Sequence, residues 1–412
     1  MSKKIDQRLP QNSGENSGLK QYYAVKTPWE KLYGFQEMMH YSNRFEAVLS
    51  TAVMQAYRIL IPDYEERSDL MCQDAFNRLY AINQMYGING DITLNMHPFM
   101  CGQFVGGLIG DQGDDALLMC GRVQDFGTYR VEKELDVCPW DIIGTELCRA
   151  TTMSLQGSGT GSAERRRKGP TMEYCMVEAR GAGDRHCRIV AENRDKYPMP
   201  EHKIWESFGP IATEDQIKYT EEEDCVKESM VFREECGYKF INGTCTVDES
   251  DSANMVKLST GASLYLLPAI EAGIREGRFE RDYAYHVVRM CCQGAGKAWL
   301  SEYYAVKAAR DYLGVPNEIG QDGRILGGLI ELLLQSVFCD YEVEAFNENE
   351  VIYVIDRAGL EITGTKTLPE CHKWFWEGAV KTVVDPMYML WEEDSPEGKM
   401  RLKIAKRIDK FQ

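Results

Sequence analysis

The residues best suited to chemistry are concentrated in residues 172–194, which read MEYCMVEARGAGDRHCRIVAENR. This stretch combines two cysteines with a histidine, an aspartate and several arginines and glutamates around a Gly-Ala-Gly turn. A thiolate is a nucleophile and a soft metal ligand once a nearby cation or base lowers the pKa of the thiol. The stretch is therefore the first candidate for an active site.

The same residues predict a β-hairpin. Glycines supply the positive φ angles of tight turns, and a turn centred on Ala182 places Cys175 opposite Ile189 and Glu178 opposite His186. Because side chains alternate along a strand, Cys175 and Cys187 would share an apolar face, with His186 on the other face. A slip of one residue would reassign these pairs.

Two interpretations of the hairpin stay open. In the structural one, the cysteines pack like small apolar groups and His186 pairs with Glu178 at the surface. In the catalytic one, Cys187 or Cys175 is the nucleophile or a metal ligand, His186 is the base and Asp184 orients it. The predicted substrate-binding residues, among them arginines suited to a carboxylate, are Arg180, Arg185, Arg188, Glu178 and His97, the last from the Gly-rich segment 86–115.

The chain also resembles itself. CGQFVGGLIG at 101–110 recurs as DGRILGGLIE at 322–331, and three further segments match in the same order, one of them aligning Cys138 with Cys371. We therefore predict two copies of one domain. The predicted divisions are a flexible segment at 1–27, copy one at 28–195, an acidic connector at 196–254 and a scaffolding copy two at 255–412.

Copy two serves as an internal control for the hairpin. The residues aligned with Cys175, Asp184, His186 and Cys187 are, in that order, Tyr388, Glu397, Lys399 and Met400. The strand pattern persists although the cysteines and the histidine are gone. This favours one chemically competent copy and one scaffolding copy, and drift of core residues explains it nearly as well.

Each copy begins with helical periodicity, as in RFEAVLSTAVMQAYRIL at 44–60, and continues with alternating strand patterns, as in EVIYVID at 350–356. Helices followed by antiparallel strands indicate the α+β class. We expect a helical layer packed on an antiparallel β-sheet in each copy.

Composition and motifs restrict the range of possible functions. A net charge of −17 argues against a nucleic-acid partner. The sequence has neither an apolar N-terminal segment nor 18 consecutive apolar residues, which predicts a cytoplasmic protein without a membrane span, its 14 cysteines mostly thiols. No nucleotide-binding motif is visible, so no nucleotide cofactor is expected, while a divalent metal stays open.

LDVCPWDIIGTELC at 135–148, together with the hairpin, resembles the C-terminal part of vinyl-reductase-type small-molecule-binding domains and the related L-2-amino-thiazoline-4-carboxylate hydrolase family. The matching residues are Gly183, Asp184 and Cys187, with Cys138 upstream. The resemblance implies a helix-and-antiparallel-sheet fold with a ligand pocket between its layers. It also implies either binding of aromatic effectors or hydrolysis of a cyclic substrate.

We therefore expect a hydrolase- or lyase-type enzyme that acts on a small cyclic or aromatic organic acid in a pocket of copy one. The alternative is a non-catalytic small-molecule-binding protein or an accessory subunit of a larger enzyme complex. A second copy of the chain or a partner subunit would be the macromolecular partner.

Overall fold

The computed structural model describes residues 2–3, 24–86, 121–126, 130–135, 138, 140–166, 173–192, 196–197, 205–206, 239–241, 244–246, 265–303, 306–337, 339–360 and 367–408. His97 and the segment 101–110 lie outside the described residues. The chain forms two compact units: unit 1 comprises residues 1–62 and 249–412, and unit 2 comprises residues 63–248.

The described helices are α1 (Phe35–Leu60), α2 (Tyr64–Tyr86), α3 (Thr145–Arg166), α4 (Leu267–Arg275), α5 (Arg281–Tyr303), α6 (Val306–Leu313), α7 (Gly323–Ser336), α8 (Arg357–Leu360) and α9 (Leu368–Val383). The described strands are β1 (Ser2–Lys3), β2 (Ala24–Lys26), β3 (Leu32–Gly34), β4 (Gly121–Phe126), β5 (Arg130–Leu135), β6 (Glu173–Glu178), β7 (Cys187–Glu192), β8 (Trp205–Glu206), β9 (Lys239–Ile241), β10 (Thr244–Thr246), β11 (Tyr341–Phe346), β12 (Glu350–Asp356), β13 (Tyr388–Glu393) and β14 (Lys399–Lys406). None of the helices described here is long and apolar enough to cross a bilayer.

Unit 1 packs helices around a sheet of order β1-β11-β12-β14-β13. Phe45 of α1 contacts Phe375 of α9 edge-on, with ring centroids 4.9 Å apart, and both side chains are buried. Helices α5 and α9 cross at glycine: a Cβ built on Gly296 would lie 1.9 Å from the Phe375 carbonyl oxygen. In α7, a Cβ on Gly328 would lie 2.9 Å from the Trp29 ring and 3.1 Å from the Leu313 side chain of α6.

Unit 2 has a sheet of order β4-β5-β7-β6-β8 and a pair of long helices, α2 and α3. The helices share a core of Cys72, Phe76 and Met153. They also approach at a glycine, because a Cβ on Gly157 would lie 2.3 Å from the Phe76 carbonyl oxygen. A buried ion pair joins Arg67 Nη2 of α2 to Glu146 Oε1 of α3 at 2.9 Å.

Every described strand pair is antiparallel, and long helices pack beside the sheets, so the α+β class is confirmed. The order β4-β5-β7-β6 in unit 2 corresponds to β11-β12-β14-β13 in unit 1. Both first strand pairs shift register at the same step, between Val123 and Asp125 and between Val343 and Ala345. Descent of the two sheets from one duplicated domain stays a prediction, as do the predicted domain boundaries.

Candidate functional site

The candidate site surrounds the β6–β7 hairpin of unit 2, and its turn differs from the predicted one. Residues Arg180–Ala182 form a single 3₁₀ turn, and Gly183 follows with a left-handed φ of 100° that favours glycine. The Asp184 carboxylate accepts a hydrogen bond from the Ala179 N–H at 2.9 Å, and the Asp184 N–H donates to the Ala179 carbonyl at 3.2 Å. Asp184 therefore closes the turn.

The predicted register of the hairpin is wrong. Cys175 pairs with Val190 and Met176 with Ile189, and the register shifts between Met176 and Glu178. Such a bulge inserts one unpaired residue and exchanges the faces of the side chains beyond it. Cys175 consequently lies in a buried cluster with Val177 and Val190, on the face of the sheet opposite to Cys187.

Cys187 instead belongs to a group of three thiols, which we call the thiol cluster: Cys138, Cys148 and Cys187. Cys138 follows β5, Cys148 lies in the first turn of α3, and Cys187 begins β7, paired with Leu135. The Cys138 and Cys187 thiols lie close enough to interact, and the interaction favours the proton on Cys138. Cys187 itself is only 4% exposed.

The hairpin turn packs directly on this cluster. The Arg180 backbone N–H donates to Cys187 Sγ at 3.3 Å. A Cβ built on Gly181 would lie 2.6 Å from Cys148 Sγ, so only glycine fits there without moving the thiol. The Arg180 side chain donates from Nε and Nη2 to Asp141 Oδ2, at 3.2 and 2.9 Å, and from Nη1 to the Arg185 carbonyl at 2.7 Å.

These contacts shift the pKa values of the three thiols in different directions. The hydrogen bond from Cys138, then the backbone N–H and positive charge of Arg180, hold the pKa of Cys187 below its usual value against the opposing effects of burial and Asp141. The pKa of Cys138 is raised, first by its hydrogen bond to Cys187 and then by burial. Burial and the neighbouring Cys187 raise the pKa of Cys148 to about 12. Cys187 is therefore the thiol of the cluster that ionises most readily.

The other predicted site residues form a separate polar group. His186 Nε2 lies 2.5 Å from Glu178 Oε2, and Nδ1 lies 3.4 Å from Glu134 Oε1. The expected contact of His186 with Glu178 is confirmed, whereas the described contacts of Asp184 are with Ala179 and not with the imidazole. The other two arginines lie apart: Arg188 Nη1 pairs with Glu132 Oε1 at 3.3 Å, and Arg185 is exposed.

Sequence reasoning missed two members of this site, Cys148 and Asp141, and assigned Cys138 only through resemblance. The aligned pair Cys138 and Cys371 is also wrong, because Leu135 ends a strand whereas Leu368 begins a helix. Cys148 is the better counterpart of Cys371, since each is the fourth residue of its helix. The segment 135–148 did contain a signal for these residues, because one of its cysteines precedes the start of a helix and the other lies in the first turn of that helix.

Within the described part of the chain, no group of three or more histidine, cysteine, aspartate or glutamate side chains is arranged to hold a metal ion. Comparison with protein-family models, curated proteins and solved structures gives no match for this chain. The resemblance noted from the sequence therefore stays an expectation.

Proposed function

We propose that this chain is an enzyme that uses Cys187 as a thiolate nucleophile toward a small organic acid, in hydrolytic chemistry at a C–N or related bond. The observation that carries the proposal is the convergence of two donors on one sulfur: the Arg180 backbone N–H at 3.3 Å and the Cys138 thiol. Donors and positive charge around a thiol are the features that activate nucleophilic cysteines.

In this proposal Arg180 binds the carboxylate of the substrate. Its guanidinium lies close enough to Cys187 to lower the pKa of the thiol, and two of its nitrogens donate to the Asp141 carboxylate. A planar guanidinium that already binds one carboxylate is suited to bind another. A substrate carboxylate would take the place of Asp141 and bring its electrophilic carbon to Cys187.

The reaction then has two steps. The Cys187 thiolate adds to the electrophilic carbon, the C–N bond breaks, and the nitrogen leaves with a proton from the Cys138 thiol. Water next cleaves the bond between carbon and Cys187 sulfur, which releases the acid product and returns the proton to Cys138. His186 takes no part, because its described contacts are with Glu134 and Glu178 on the opposite face of the sheet.

Alkylation with iodoacetamide at pH 7, followed by peptide mass spectrometry, tests the nucleophile. We expect Cys187 to react faster than Cys148 by about tenfold or more, since each unit of pKa changes the thiolate fraction about tenfold. Cys291 is the reference thiol, because burial alone raises its pKa. An order that follows the exposed surface, with Cys148 ahead of Cys187, would contradict the proposal.

The same experiment with iodoacetate, the anionic counterpart, tests Arg180. We expect the ratio of iodoacetate to iodoacetamide rates to be higher at Cys187 than at Cys291. Asp141→Asn should raise that ratio further by releasing the guanidinium, and Arg180→Met should lower it to the value at Cys291. A ratio at Cys187 that neither variant moves would rule out an acid-binding role.

The second candidate function is small-molecule binding without catalysis. It is favoured by the low exposure of Cys187, 4%, since catalytic thiols are usually partly accessible. Slow alkylation of Cys187, equal to that of Cys148, would support this candidate over the enzyme.

A further inference from the structure

We propose that Cys138 and Cys187 are an oxidation site, at which a hydroperoxide converts the two thiols into a reversible disulfide. The proposal rests on the Cys187 thiolate of the proposed function and adds a second chemistry, with a different co-reactant, at the same sulfur. Disulfide formation would remove the nucleophile and so switch the enzyme off.

The geometry supports this pairing because both cysteines are tied to Arg180. Its side chain binds Asp141, whose N–H donates to the Cys138 carbonyl at 3.5 Å, and its own backbone N–H donates to Cys187 Sγ at 3.3 Å. Cys138 follows the end of β5 by three residues, and the last residue of β5, Leu135, is the strand partner of Cys187. Cys138 therefore lies beside the hairpin, where its thiol interacts with that of Cys187. A disulfide needs two cysteines whose backbones are close and whose side chains point toward each other.

The oxidation proceeds in two displacements. The Cys187 thiolate attacks one peroxide oxygen, an S–O bond forms, the O–O bond breaks, and the leaving alkoxide or hydroxide takes a proton to become an alcohol or water. The resulting Cys187 sulfenic acid is attacked by the Cys138 sulfur, so that the S–S bond forms and the S–O bond breaks. The hydroxyl leaves as water with the Cys138 proton.

Two electrons pass from the thiol pair to the hydroperoxide. An external dithiol reverses the modification by thiol–disulfide exchange, in which the dithiol is itself oxidised. Nothing beyond a hydroperoxide and a dithiol is required.

Cys148 is not the expected partner of Cys187. Its sulfur packs against Gly181, and Cys187 acts on it through charge, whereas the thiols of Cys138 and Cys187 interact directly. Reaction with the Cys187 sulfenic acid is faster from a thiol already in contact with it. The contact between Cys138 and Cys187 therefore makes the site selective.

Unit 1 supplies a matched control. The thiols of Cys292 on α5 and Cys371 on α9 also interact, and both residues are 0% exposed. The interaction with Cys371, then burial and the neighbouring Cys291, raise the pKa of Cys292. The two thiols of this pair are neighbours, as those of Cys138 and Cys187 are, but among the described residues no hairpin turn with an arginine lies beside them. The comparison therefore separates the effect of proximity from the activation of a thiol by the turn.

The test is treatment of the full-length protein with hydrogen peroxide, blocking of free thiols with iodoacetamide, and non-reducing peptide mapping. We expect a peptide linked through Cys138 and Cys187 that disappears on treatment with dithiothreitol. The Cys292 and Cys371 peptides should remain unlinked in the same sample. A link from Cys187 to Cys148, or conversion of Cys187 to sulfinic acid with no link, would overturn the inference.

The variant Cys138→Ser removes the thiol that would form the disulfide, and alkylation of the wild-type protein separates this inference from the proposed function. The linked peptide should be lost, and Cys187 should advance to sulfinic acid under peroxide. Fast alkylation of wild-type Cys187 with no link disproves only the oxidation site, whereas slow alkylation of wild-type Cys187 disproves the nucleophile itself.

Discussion

At the scale of single residues, Cys187 and Met400 occupy the same position in their sheets. Cys187 pairs with Leu135 at the end of β5, and Met400 pairs with Ile355 beside the end of β12. Met400 is fully buried in unit 1 and Cys187 is nearly so in unit 2. This strand position therefore holds a core residue in both sheets, and the reactivity proposed for Cys187 depends on its neighbours Arg180 and Cys138.

A buried thiol far from the hairpin gives a residue-scale prediction. Burial raises the pKa of Cys72 to about 12, as neighbours and burial do for Cys148. A raised folded-state pKa gives stability that is complete below the unfolded value, about 9, and is lost as pH rises toward the folded value. Between pH 9 and 11 the Cys72→Ala variant should therefore lose stability less steeply than wild type, by about 1.4 kcal/mol per pH unit.

Urea unfolding at each pH measures this difference. The comparison between the two proteins cancels the titration of lysines and tyrosines, which both chains share. At pH 7 the variant should be less stable because the side chain leaves a cavity against Phe76 and Met153. Parallel slopes for the two proteins above pH 9 would show that Cys72 ionises normally in the folded state.

At the scale of elements, the β6–β7 hairpin differs from β13–β14 in the length of its connection. Eight residues, 179–186, join the first pair, whereas five residues, 394–398, join the second. The longer connection contains the 3₁₀ turn, and with it Arg180 and Gly181, which contact Cys187 and Cys148. The extra turn residues thus build the site on a sheet that otherwise resembles its counterpart.

The close helix crossing of unit 1 gives the element-scale prediction. Gly296→Ala should lower the free energy of unfolding by about 1–3 kcal/mol, because the new Cβ meets the Phe375 backbone and the helices α5 and α9 must separate. Gly294, two residues earlier on the same helix, has nothing within 4 Å of its added Cβ. Gly294→Ala should instead stabilise the chain, by up to about 1 kcal/mol, through helix propensity.

Thermal and urea unfolding of the two variants beside wild type give the signs directly. We expect the free energy of unfolding to change in opposite directions, although both variants carry a Gly→Ala substitution on the same helix. Equal destabilisation by both substitutions would mean that helix contacts do not decide the effect.

Sequence patterns located these elements well and their contacts less well. The periodicity of 44–60 predicts the larger part of α1, and the alternation of 350–356 coincides with β12. Alternation also located β6 and β7, but a bulge near Val177 and a 3₁₀ turn leave no mark in a two-residue period. That one-residue error placed Cys175 on the same face of the sheet as Cys187. The approach of Cys138 and Cys148 to Cys187 was missed because both residues lie 39 or more positions away in the chain.

At the scale of the whole molecule, unit 1 is discontinuous along the chain. The repeat comparison predicts copy two at 255–412, whereas the compact unit joins residues 249–412 with residues 1–62. Helix α1 buries Phe45, Leu49 and Val53, and Phe45 packs against Phe375 and Trp376 of α9. Tyr41 of α1 also donates its hydroxyl to the Leu329 carbonyl of α7 at 2.9 Å. Helix α1 is therefore part of the core of unit 1.

This arrangement predicts that residues 249–412 do not fold properly alone. Without α1, the apolar faces of α5, α7 and α9 that it covers would be exposed, and such patches promote association. The isolated fragment should elute as an oligomer and bind a hydrophobic dye, and a peptide of residues 24–62 should convert it into a 1:1 complex with reduced dye binding. The same peptide carrying Phe45→Asp should fail, because it would bury a charge between Phe375 and the ring of His372, which stacks on Phe45 at 5.6 Å. A monomeric fragment 249–412 with cooperative unfolding in the absence of the peptide would instead favour the boundary predicted from the repeat.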